Sequence, residues 1–220
     1  MRQRAPVAIA SALAVFAFGL PGPARAQNVG VRWDVGAEVG ALQRFRSSAP
    51  TGAPRPDLGP SAEIHAHAAI FPMVRVGAYV AYDASPAAGR SVREFVGAGL
   101  RIKVTPPLFR RPWRAWAFAG LGGAWAIEPG FRVATPGAAT SPEESNAIAG
   151  GEGGILEVPF GLGLGWMARS PWRVFAELGG RATLVEGGAL YEAPFCLCRE
   201  AFAGKDSFAV GLSVGVSWEQ

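Results

Sequence analysis

The chain has 220 residues, half of them hydrophobic and 17% charged, with 30 glycines and 18 prolines. That length suits one domain with a sizeable interior, and the apolar content excludes an extended, disordered polar chain. Twenty-one basic residues against 17 acidic ones give a formal net charge of +4, but three of the basic residues lie within the first 26 positions.

Residues 1–26, "MRQRAPVAIASALAVFAFGLPGPARA", join Arg2 and Arg4 to an apolar run from Val7 to Leu20. Pro21, Pro23 and the small-x-small triplet Ala24-Arg25-Ala26 follow. This reads as a secretory signal peptide cleaved before Gln27, leaving a domain of residues 27–220. Loss of Arg2, Arg4 and Arg25 leaves 18 basic against 17 acidic residues, a net +1. A nearly neutral chain carries no electrostatic footprint of a nucleic-acid partner. Beyond residue 26 no stretch approaches the roughly 18 apolar residues of a membrane helix, so a membrane span would have to use strands.

Period-two alternation, the signature of strands, then recurs eight times. In 29–45, Val29, Val31, Trp33, Val35, Ala37, Val39 and Ala41 oppose Arg32, Asp34, Glu38 and Arg44. In 62–70, Ala62, Ile64, Ala66, Ala68 and Ile70 oppose Glu63, His65 and His67; in 74–82, Val74, Val76, Ala78, Val80 and Tyr82 oppose Arg75 and Tyr79. In 94–104, Val96, Ala98, Leu100, Ile102 and Val104 oppose Arg101 and Lys103. Residues 114–128 are strand-like with two apolar or small faces. In 156–166, Leu156, Val158, Phe160, Leu162, Leu164 and Trp166 oppose Glu157 and several glycines; in 174–184, Val174, Ala176, Leu178, Ala182 and Leu184 oppose Arg173, Phe175, Glu177 and Arg181. The terminal "FAVGLSVGVSWEQ" sets Phe208, Val210, Leu212, Val214, Val216 and Trp218 against serines, Ala209 and glycines. These segments match the 9–11 residues, roughly, of a tilted membrane strand, whereas ordinary strands average about 5–6.

The connections alternate as well. Those at 46–60, 83–92, 129–151 and 185–206 are long and rich in Pro, Gly, Ser or Thr, while "FPM", "TPPLFRRPW" and "ARSPW" are short. Short turns at one end and long loops at the other are the pattern of an outer-membrane barrel, with the short turns in the periplasm. Trp33, Trp113, Trp116, Trp166, Trp172 and Trp218 all fall near the short-turn end, as half of an aromatic girdle would.

On this pattern the chain resembles the eight-stranded OmpA/OmpX-like outer-membrane barrels. The resemblance implies an all-β fold, an eight-stranded antiparallel up-and-down transmembrane β-barrel in the outer membrane, with outer-membrane lipid around it. It also implies a C-terminal strand recognised by the barrel-assembly machinery during insertion. The family usually ends on the aromatic itself, whereas Glu219 and Gln220 follow Trp218 here. Removal of those two residues is therefore expected to be harmless or helpful.

The opposite, charged face should then line the lumen. The expected lumen polar network comprises Arg32, Asp34, Glu38, Glu63, His65, His67, Arg75, Tyr79, Arg101, Lys103, Glu157, Arg173, Glu177 and Arg181, with near-balanced charge suited to internal pairing. Eight strands leave an interior just wide enough for side chains to fill it, so a packed core rather than a conducting pore is expected. Within "SAEIHAH", Ser61, Glu63, His65 and His67 share a face, so a nucleophile–base–acid set or a metal pair can be drawn. The comparison is with lipid A deacylases, but their site faces lipid and their His-x-Ser order is missing. The expected role of these histidines is hydrogen bonding to Arg75 or Tyr79; no catalytic residue, cofactor or metal is expected.

Cys196 and Cys198 are the only cysteines, and residues two apart bridge only through a sharp local turn. A small loop-stiffening disulfide and a free pair are both compatible with the sequence. No phosphate-binding loop, nucleotide fingerprint or hydrolase elbow is present. The expected role is structural or surface-interactive, with the long loops as contact surface and no ligand named. Alternatives are a lipid A deacylase-like enzyme and a soluble lipocalin-like barrel, the latter requiring the opposite parity.

Overall fold

The computed structural model describes residues 32–47, 58–87, 91–107, 112–132, 148–169, 171–187 and 205–220. The signal peptide expected at 1–26 and the cysteines at 196 and 198 lie outside the described residues. Eight strands follow in chain order: β1 Trp33–Ser47, β2 Gly59–Phe71, β3 Val74–Ala87, β4 Ser91–Val104, β5 Trp113–Arg132, β6 Ile148–Arg169, β7 Trp172–Gly187 and β8 Lys205–Glu219. Each pairs antiparallel with its sequence neighbours, and β8 closes on β1, giving an up-and-down barrel. Closure ends in a reciprocal pair: Trp33 N donates to Gln220 O at 3.2 Å, and Gln220 N donates to Trp33 O at 3.0 Å. No strand edge is left open between β1 and β8, as a lipid-embedded sheet requires.

Alternation decides which face points where. Val39, Leu100, Leu162, Leu212 and Val214 are exposed on the outside, while inward-facing residues such as Glu38, Arg101 and Lys103 are buried. The 114–128 segment, ambiguous in sequence, resolves the same way: Ala117, Ala119, Leu121, Trp125 and Ile127 point outward, and Trp116, Ala124 and Ala126 point inward. Parity also corrects the girdle. Trp33, Trp113, Trp166 and Trp172 are exposed on the outer face, and Trp218 is half-buried. Trp116, however, is inside the barrel and only 2% exposed. Residues three apart on a strand face opposite ways, so Trp113 and Trp116 cannot share a girdle.

Strands extend past the expected ends on the loop side. The connection expected at 83–92 is mostly paired sheet, with Ser85 opposite Arg93, Pro86 opposite Val92 and Ala87 opposite Ser91. Next to them, β5 and β6 reach 20 and 22 residues. Continued pairing satisfies backbone polar groups beyond the lipid, where hydrophobic alternation is no longer needed to mark a strand.

Candidate functional site

The barrel interior is the one place where the described residues concentrate chemistry, and it is layered. At the short-turn end, Asp34 Oδ2 accepts from Arg75 Nη1 at 2.9 Å and from Lys103 Nζ at 3.1 Å. Glu219, at the end of β8, accepts from Arg75, Arg173 and Arg114, the last at 2.8 Å. Midway, Glu177 accepts from the Trp116 indole at 2.7 Å and from Arg101, and Arg101 also bonds Glu63. Nearer the loop end, the Arg44 fork grips Asp83 through Nε at 2.8 Å and Nη2 at 3.1 Å, while Nη1 reaches Glu157 at 2.7 Å. Arg181 lies 3.3 Å from Asp83 and 3.7 Å from Glu157 and from Glu63.

Aromatic faces carry the same cations. The Arg44 guanidinium sits 3.6 Å from the Phe95 ring centre, Arg101 sits 3.5 Å from that of Phe118, and Lys103 Nζ lies 4.3 Å from that of Trp116. Such contacts strengthen where water is excluded. Glycines make room for these rings: a methyl group at Gly163 would overlap the Trp116 indole, and one at Gly122 would overlap the Tyr79 hydroxyl. Beyond the Arg44 layer, Phe95, Ala124, Ala126 and Ile155 form an apolar cluster inside the barrel.

Thirteen of the fourteen residues expected in the lumen point into this interior. Arg32 does not; it is exposed ahead of β1, where its backbone oxygen accepts from Ala69 N at 2.9 Å. The histidines are inside but do not bond Arg75 or Tyr79. Neither ring nitrogen of His65 or His67 has a hydrogen-bond partner among the described residues. Arg75 is taken by Asp34 and Glu219, and the two imidazoles pack together with centres 4.9 Å apart. With both nitrogens of His65 unbonded, Ser61 and His65 form no nucleophile–base pair. Residues absent from the expected set are Arg44, Asp83, Arg93, Arg114, Trp116 and Glu219. Their parity was readable: Asp83 continues the inward series of Arg75 and Tyr79, and Glu219 continues that of Ser213 and Ser217.

An apolar belt outside a closed antiparallel sheet, with ion pairs inside, defines a transmembrane β-barrel. No family model matches the sequence, and a search of curated proteins found no match. Solved structures do match. Neisserial surface protein A shares 15% identity and a TM-score of 0.53, over 84% of this chain and 96% of that one. A major outer membrane protein from Thermus thermophilus shares 14% identity and a TM-score of 0.51, over 86% and 99%. The protein has the fold of the small eight-stranded outer-membrane β-barrels.

Proposed function

We propose that the protein serves the outer membrane as a rigid, non-conducting barrel that acts through its surface, with the loop end as the contact face. The observation that carries this reading is the packed interior. Three layers of paired charge and an apolar cluster cross the lumen, and an eight-stranded barrel is only about wide enough for side chains to fill. Transport would need a path that these side chains fill. Chemistry on lipid would need polar groups on the outer face, where the strands carry apolar residues. Binding is then left to loops held on a stiff scaffold, the usual division of labour. Insertion through the barrel-assembly machinery, with β8 and Trp218 as the recognised strand, belongs to the same reading.

The experiment has three arms. Purified barrel in planar bilayers should give no discrete conductance steps. Cells lacking the protein and cells overproducing it should share one lipid A acylation profile by mass spectrometry. Replacing residues 188–204 by a short Asn-Gly turn should leave a folded, heat-modifiable barrel while changing cell-surface adhesion. Conductance steps, an altered acylation pattern, or adhesion indifferent to loop removal would each overturn the reading.

A further inference from the structure

Midway along the lumen, Glu38 on β1 stands directly opposite Glu63 on β2, and His65 lies two residues further along the same inward face. Like charges placed directly across a strand pair repel, and the low dielectric of a packed interior sharpens the cost. Glu63 has counter-charges, since Arg101 bonds it and Arg181 lies 3.7 Å away. Glu38 has no ion-pair partner among the described residues; its hydrogen bond comes from Ser213 Oγ at 2.8 Å to Oε2. The neighbouring carboxylate of Glu177 adds to the negative charge and has both oxygens engaged, by Trp116 and Arg101.

His65 supplies the second observation. It is 1% exposed, yet neither ring nitrogen has a hydrogen-bond partner among the described residues. Its Nδ1 lies 3.7 Å from Glu63 Oε1. Gly36 on β1 gives the ring its seat, since any side chain there would strike the imidazole. One oxygen each from Glu38 and Glu63 and one nitrogen of His65 lie within 4.8 Å of one another. A small side-chain rotation brings three such atoms onto one ion with bonds of roughly 2.0–2.2 Å. Beside them, a cavity of about 50 Å³ is lined by Glu38, Glu63, Glu177, Arg181 and Ser213, so it exceeds the ~10–15 Å³ that one water needs. Water can therefore complete the coordination shell.

We propose that Glu38, Glu63 and His65 bind one divalent transition-metal ion of the zinc class inside the barrel. Two carboxylates with an imidazole suit such an ion better than Ca²⁺ or Mg²⁺, which take oxygen ligands. The ion neutralises the Glu38–Glu63 repulsion, satisfies the orphaned imidazole and ties β1 to β2 through the lumen. Its role is structural.

The test uses the full barrel purified without an affinity tag, in a Cys196→Ser/Cys198→Ser background, so that His65 and His67 are the only imidazoles and no thiol competes. CoCl₂ is titrated by visible absorption, and ZnCl₂ by competition and by thermal unfolding. One saturable equivalent of Co²⁺, displaced by Zn²⁺ and accompanied by a raised unfolding temperature, is expected. Glu38→Gln and His65→Ala should weaken binding by at least the roughly 10–100-fold that loss of an outer-sphere partner costs. His67→Ala should leave it unchanged. Where a ligand variant yields no folded barrel, the wild-type Co²⁺ complex decides: hyperfine-shifted imidazole protons in the NMR spectrum support the site. Absence of saturable binding, absence of those signals, binding that survives His65→Ala, or equal displacement by Mg²⁺ overturns the proposal.

Discussion

Glu219 is the residue whose place in the molecule departs furthest from its place in the sequence. Following the terminal aromatic, it reads as a dispensable tail. In the barrel its carboxylate collects Arg75 from β3, Arg114 from β5 and Arg173 from β7, so one side chain at the end of β8 holds four strands together. Removing it would leave three guanidiniums facing one another with Asp34 as the remaining anion. Breaking a buried pair costs about 3–5 kcal/mol, and the partial exposure of Arg114 places Glu219→Gln toward the lower end. The expected result is a lower unfolding temperature of the heat-modifiable band in detergent, with a similar fall on deleting residues 219–220. An unchanged midpoint in both variants would show that the arginines find other partners. Arg44 makes the stronger case, being 1% exposed and bonded to two carboxylates. Arg44→Met keeps the bulk but strands Asp83 and Glu157, so the loss should approach the full 3–5 kcal/mol or so. Equilibrium urea unfolding into lipid vesicles would measure it; a change near zero would mean that Arg181 compensates alone.

At the level of the strands, alternation was almost wholly legible, because lipid outside and charge inside impose opposite demands on adjacent residues. β8 is the cleanest example: Leu212 is 60% exposed, and Ser213 beside it turns inward to bond Glu38 on the neighbouring β1. Spin labels on single cysteines at these two positions, in a background lacking the native cysteines, should separate cleanly. The label at 212 should be relaxed by lipid-confined oxygen, and the label at 213 by neither oxygen nor a water-soluble nickel chelate. Access of the chelate to position 212 would contradict the assigned faces. The ends of strands were less legible. Pro86 and Ser91 lack the hydrophobic contrast of a membrane strand, yet their residues pair as β3 and β4 run past the lipid. Trp116 failed for a different reason: nearness to one end of the barrel was read without the parity that turns it inward.

For the whole molecule, which side chains face the lumen was open to inspection, but who pairs with whom was not. Arg44 and Glu157 are 113 residues apart in sequence, and Glu219 reaches strands that are not its neighbours. Such pairings depend on strand stagger and on which glycines let a ring lie flat, and neither leaves a local trace. The histidines are the clearest instance, since Arg75 could not serve them once Asp34 and Glu219 had claimed it. The same cross-lumen wiring makes a statement about the barrel's electrostatics. Surface ion pairs fade when salt shortens the screening length from about 10 Å at 0.1 M to about 3 Å at 1 M, whereas buried ones are screened far less. Because Arg44, Asp83, Glu157 and Arg101 are all buried, the unfolding temperature should change by no more than about 2 °C between those salt concentrations. Measured in a non-ionic detergent, whose micelle does not respond to salt as a charged one does, the shift reports on the protein. A pronounced fall at high salt would mean that ions and water enter the lumen, and would count against the non-conducting barrel proposed above.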